Sequence, residues 1–144
     1  REEQNCMSRK TAREHAFRIL FSAQFQQEKA QVLVERYLQG QDVSLEEKDE
    51  QFIQREIEGA IREQDPIYAR IEEALKEWKL SRLYRVDRAI LQIAVYEMLY
   101  EEEIPTSVSI NEAVELAKKY STEAAPAFIN GVLGTIAKNV EGEA

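Results

Sequence analysis

Between Arg9 and Gln24, cations and aromatic rings recur at helical spacing. Lys10 and Phe17 stand seven apart, Arg13 and Phe17 four, Phe17 and Phe21 four, with Gln24 at the end of the same run. At about 100° per residue these positions share one stripe of a helix. A cation there can hold a phosphate, and an accessible ring can stack an unpaired base, so the pattern fits single-stranded RNA. The same rings would equally serve to widen a buried apolar stripe. The charge is local as well: residues 9–18 carry Arg9, Lys10, Arg13 and Arg18 against Glu14, a net +3 in a chain of net −8. An acidic body with one basic stripe suits a protein that grips RNA at one end and meets a basic protein elsewhere.

Catalytic arrangements find little support. The one histidine, His15, lies beside the apolar stripe of the same helix and is expected to pack or cap. A carboxylate-bridged metal pair would need Glu-x-x-His on two helices, which a single histidine cannot supply. Glu112 reads as a capping-box residue and Glu115 as solvated surface. Gly131 and Gly134 sit inside a helical apolar pattern, where small residues point to close helix packing rather than to a phosphate loop. Cys6 has no partner that could act as a base, and one cysteine makes no internal disulfide. No catalytic residue, metal or cofactor is expected.

The elements that must carry the stripe are helical throughout. In 144 residues only five are glycine and three proline, while 44% are apolar and 32% charged. Ala12, Ala16, Ile19, Leu20 and Ala23 mark the buried face of the first helix. A second is expected over Gln31–Gln39, stopping at Gly40. Ser44 with Glu47 forms a capping-box pattern opening a third, through Phe52, Ile53, Ile57 and Ile61. Asp65 as N-cap and Pro66 at the first helical position start a fourth, through Ile67, Ile71 and Leu75. Val86, Ala89, Ile90, Ile93 and Ala94 belong to a central helix buried on more than one side, ending near Tyr100. Ser109 with Glu112 is another capping-box pattern. Pro126 lies near the start of the last helix, which carries Phe128, Ile129, Val132, Leu133 and Ile136. The expected fold is therefore all-α, about seven helices in two packed bundles over about 8–79 and 80–140, with residues 1–7 and 141–144 as tails. No apolar run reaches the roughly 20 residues of a membrane span, and the polar start lacks a signal core, which points to the cytoplasm.

Three segments carry a resemblance. Val86-Asp87-Arg88-Ala89-Ile90-Leu91, with Ala94, Tyr96 and Glu97, resembles the central helix of NusB proteins. Ser109 to Lys118 matches that family's most characteristic segment, and Phe128 to Leu133 matches its last-helix motif in the expected order and spacing. Arg9-Lys10-Thr11-Ala12-Arg13-Glu14 matches its arginine-rich start. The resemblance covers residues 8–139.

It implies a non-enzymatic transcription antitermination factor. Such proteins bind boxA, a single-stranded RNA element of ribosomal RNA operon leaders, together with the small ribosomal protein NusE. They join RNA polymerase and other Nus factors and suppress Rho-dependent termination. Position by position, the resemblance puts Arg9, Lys10 and Arg13 on the basic RNA-binding start. Phe21 takes the place of an aromatic that meets RNA, with Phe17 and Gln24 on the same face, and Asp87 and Arg88 fall near the RNA path, where an acid could accept from base amino groups. Thr11 replaces a basic residue of some members, and the turn from Ser121 to Pro126 lacks an Asp found in others. NusB-like domains also begin ribosomal RNA cytosine methyltransferases, a reading at odds with a chain that ends soon after its last helix. A homodimer that buries the Phe17/Phe21 stripe is the other alternative.

Overall fold

The apolar spacing of the first 62 residues produces three helices that bury one shared core. The computed structural model describes residues 2–25, 28–40, 45–76 and 79–143, with the backbone alone for residues 2–8. The first unit, Arg1–Arg62, contains α1 (Glu2–Ala23), α2 (Ala30–Gln39) and α3 (Glu47–Arg62). From α1, Ala12, Ala16, Ile19 and Leu20 are buried; α2 adds Leu33 and Val34, and α3 adds Phe52, Ile53, Ile57 and Ala60. Each of these helices packs on the other two. Gly40 closes α2, its N–H returning to the carbonyl of Tyr37 at 3.1 Å. Residues 2–7, expected as a tail, continue the backbone of α1. Ser44, the expected cap of α3, lies outside the described residues.

The second unit, Glu63–Ala144, contains α4 (Gln64–Leu75), a short 3-10 turn at Leu80–Arg82, α5 (Arg85–Tyr100), α6 (Thr106–Tyr120) and α7 (Ala125–Glu143). Every residue of α5 from Ala89 to Glu97 is buried, because α4, α6 and α7 all pack against it. Among the described residues the chain forms seven α-helices and no strand, the two-bundle all-α class that its patterning calls for.

The division between bundles differs from the expectation. It falls between Arg62 and Glu63 rather than near residue 79. The reason is the allegiance of α4, which buries Ile67, Ile71, Ala74 and Leu75 and packs on α5 and α7. Polar clasps reinforce it. The Tyr68 hydroxyl donates to Gln92 at 3.0 Å, Asn139 donates to Glu73 at 3.1 Å, and Arg70 pairs with Glu143. That last pair also holds the end of α7 in helical form, where residues 141–143 were expected as a tail.

Cap positions shift too. α4 begins at Gln64 with Glu63 as its N-cap, so Asp65 and Pro66 lie inside its first turn. α6 begins at Thr106, with Pro105 before it, and Ser109 is inside the helix and buried. In α7, a methyl group added at Gly131 or Gly134 would meet nothing within 4 Å, so neither glycine marks a close helix contact. Gly131→Ala is therefore expected to raise stability by about 0.5–1 kcal/mol, the usual cost of glycine inside a helix. Denaturant unfolding of the two proteins measures this, and a loss of stability would show that the open side of Gly131 is needed.

Candidate nucleic-acid interface

Five of the eight residues expected to meet RNA lie on α1 and a sixth, Gln24, in the turn just after it, and the structure divides them. Lys10 is exposed. Arg9 keeps 36% of its side chain exposed, with its guanidinium 4.1 Å over the Phe52 ring and its Nε 4.0 Å from the buried Asp49 carboxylate. Arg13 is 5% exposed, its guanidinium 5.4 Å from the centre of the same ring, and Arg55 approaches that ring at 5.6 Å. One phenylalanine of α3 thus gathers three guanidiniums, each attracted to the negative face of the ring. The consequence for Arg13 is burial, where solvent access was expected.

The aromatic residues form a ladder that climbs from core to solvent. Phe17 is 3% exposed and belongs to the core. Phe21 is half-buried and stacks on Phe17 with centroids 6.2 Å apart and planes 30° apart. Phe25 meets Phe21 edge-on at 5.7 Å and 75°, and is 59% exposed. These are favoured geometries for aromatic pairs, and they present one flank of Phe21 and most of Phe25 outward. Gln24, beside them, is half-buried. Phe25 continues the i, i+4 spacing of Phe17 and Phe21, a signal the sequence carries one position beyond Gln24.

Behind this face, His15 Nδ1 and the Tyr37 hydroxyl share a hydrogen bond of 2.7 Å that joins α1 to α2. Burial, helped by the nearby Arg18 charge and opposed by Glu14, lowers the His15 pKa. A depressed histidine pKa stabilises the fold above the unfolded-state value, about 6.5, and that stability is lost as pH falls below it towards the folded value. The unaltered chain is thus expected to lose stability between pH 7.5 and 5.5 more steeply than His15→Gln, as read by denaturant unfolding. Equal slopes would show that His15 titrates alike in both states.

The remaining two residues, Asp87 and Arg88, belong to the first turn of α5 in the second unit. Asp87 is 5% exposed and its Oδ1 accepts the Ser121 hydroxyl at 2.5 Å. Arg88 is half-buried, and its charge counters the burial that raises the Tyr68 phenol pKa. Neither offers a fully open side chain. Next to them is a cleft of about 310 Å³ whose walls include Arg82, Tyr84, Thr122, Ala124 and Phe128, with Asp87 among its lining. Tyr84 is 66% exposed, Phe128 half-buried and Arg82 exposed. Two rings and a cation around an open cleft repeat, in the second unit, the chemistry of the α1 face. In the sequence Phe128 falls within the apolar pattern of the last helix, and Arg82 and Tyr84 give no signal beyond an aromatic between two arginines at the start of α5.

Among the described residues no group of three or more His, Cys, Asp or Glu could hold a metal ion, and no helix is long and apolar enough to cross a membrane.

Comparison with known proteins gives a consistent result. The NusB family model matches residues 10–138. The transcription antitermination protein NusB of Clostridium novyi is 39% identical, over 92% of this chain and 99% of its own length. Its counterpart from Bacillus subtilis is 41% identical, over 94% and 98%. Among solved structures, T. maritima NusB superposes with a TM-score of 0.81 at 36% identity, covering 90% of each chain. A chain from a complex of antitermination factors NusB and NusE with double-stranded RNA superposes at 0.83 with 26% identity, covering 92% of this chain and 98% of that one.

Proposed function

Because the chain belongs to the NusB family, we propose that it is a transcription antitermination factor that binds boxA-type single-stranded RNA of ribosomal RNA leaders with the ribosomal protein NusE. In this reading it joins RNA polymerase and other Nus factors and suppresses Rho-dependent termination, without turnover of its own. The observation that carries the RNA assignment is the aromatic ladder at the end of α1: of its three rings, Phe21 on the helix and Phe25 in the turn after it reach solvent, and the same helix exposes Lys10. Lys10 and Phe21 are about 16 Å apart along the helix at 1.5 Å per residue, room for more than one nucleotide. Lys10 and Arg9 supply phosphate contacts, Phe21 and Phe25 stacking, and Gln24 a polar contact. The rings and Arg82 of the α5–α7 cleft supply contacts of the same kind in the second unit. Arg13 and Phe17 act from beneath, holding α1 in place.

The acidic remainder of the chain suits a basic protein partner, whose approach it would steer. NusB and NusE occur together with double-stranded RNA in a related solved complex, so strandedness belongs in the test. Fluorescence anisotropy would compare a boxA-type strand, a scrambled strand and a duplex, with and without NusE, at two salt concentrations. Preference for the boxA strand, strengthened by NusE and weakened by salt, is the expected result. Lys10→Ala should weaken binding and lower the salt slope by about 0.7, the contribution of one phosphate contact on a single strand. Equal, feeble binding to all three RNAs with NusE present would end the reading.

A further inference from the structure

Beside the cleft of the second unit, a side-chain hydrogen bond joins the end of α6 to the first turn of α5. α6 ends at Tyr120, and Ser121 leaves it in extended conformation, with its N–H returned to the Ala117 carbonyl at 2.9 Å. The Ser121 hydroxyl crosses instead to Asp87 Oδ1 at 2.5 Å, within the range of hydroxyl-to-carboxylate bonds. Asp87 sits in the first turn of α5, where unpaired N–H groups and the helix dipole favour an acid. At 5% exposure, with one oxygen already engaged, it is poorly placed to read a base edge. Its partner is well placed to set the cleft. Ser121 directly precedes Thr122 and Ala124, which line one side, and the turn continues into α7 and Phe128. That turn is stitched at its far end too, by the Ala125 N–H on Thr122 O at 3.1 Å and the Phe128 N–H on Ala124 O at 3.3 Å.

We propose that Asp87 and Ser121 act together as a positioning pair, fixing the α6–α7 turn to the start of α5 so that Phe128 and Tyr84 face one preset cleft for an RNA base. This rests on the reading of that cleft as an RNA contact. Asp87 thereby has a role different from base readout: it acts through the turn and Phe128. Presetting a wall spares the complex the cost of ordering it at binding, the usual source of affinity from rigid sites.

The test uses the full chain and the same boxA-type single strand. Ser121→Ala is expected to weaken RNA binding about three- to tenfold, the equivalent of ordering one or two side chains. Amide exchange over residues 121–128 of the RNA-free protein should quicken in parallel. Asp87→Ala should weaken binding to a similar degree, and the Asp87→Ala/Ser121→Ala double variant should be no weaker than the worse single. Ser121→Thr, which retains the hydroxyl, should restore both affinity and slow exchange. In a Phe128→Ala background the Ser121→Ala effect should vanish. Unchanged affinity in Ser121→Ala, where Phe128→Ala does weaken binding, would overturn the positioning role and leave the cleft reading intact. An equal Ser121→Ala effect with and without Phe128 would overturn it as well, by showing that the pair acts elsewhere. If Phe128→Ala itself changes nothing, the cleft reading fails and takes the pair's role with it.

Discussion

Phe21→Ala is expected to weaken binding of a boxA-type strand about five- to hundredfold, the range for losing one base-stacking ring. Phe17→Ala, one turn earlier on the same stripe, is expected to destabilise the fold by about 3–5 kcal/mol instead. The two residues are identical in type and four apart, so their separation is a sharp test of the interface. The physical basis is exposure. Phe17 is 3% exposed and is wrapped by the core, whereas Phe21 lies on it with one flank outward. Phe21→Leu provides a control, because it keeps apolar bulk against Phe17 but removes the flat face a base would need. Binding by anisotropy and stability by denaturant unfolding should therefore move independently. If Phe21→Ala retained full affinity while Phe21→Leu and Phe17→Ala merely lowered stability, Phe21 would belong with Phe17 to the core, and RNA contact would have to be sought elsewhere.

The same pair shows how far the sequence could be read. Ala12, Ala16, Ile19, Leu20 and Ala23 announce the buried face of α1 by spacing alone; the first four are buried and Ala23, at the helix end, is half-buried. The adjoining stripe of Lys10, Arg13, Phe17, Phe21 and Gln24 shares one azimuth, so periodicity treats its members alike. What separates them is α3, a helix distant in sequence: its Phe52 draws in Arg9, Arg13 and Arg55, while Lys10 remains outside. A cation that lands on a buried ring looks, in sequence, the same as one that meets solvent. The allegiance of α4 was hidden for a similar reason. Its apolar face shows that it packs, and only the position of α5 and α7 shows against what. Asp87 is a third case. Its acidity was legible, but Ser121, which occupies it, lies a whole helix away.

Ser109 is the case in which a local pattern misled, and it yields the largest expected effect in the second unit. With Glu112 three residues on, it reads as a capping box, yet α6 has already begun at Thr106. Ser109 is 2% exposed, and its hydroxyl donates across to Oε1 of Glu97, itself 1% exposed, at 2.9 Å. The bond fastens α6 to the central helix at a place water does not reach. Ser109→Ala is expected to cost about 1–3 kcal/mol, because it removes a donor and leaves a buried carboxyl oxygen short of it. Glu97→Met alone should also destabilise, by leaving the hydroxyl unsatisfied. Together the two substitutions replace a polar contact by an apolar one of similar shape, which can be nearly neutral. The double variant is therefore expected to be more stable than the two single losses predict, a coupling that denaturant unfolding of all four proteins would measure. Strict additivity would mean that the bond contributes nothing beyond the separate packing of its ends. Strong coupling would place part of the segment Ser109 to Lys118 in the scaffold: it would hold α6 to α5, while the surfaces proposed to meet RNA lie on α1 and on the walls of the α5–α7 cleft.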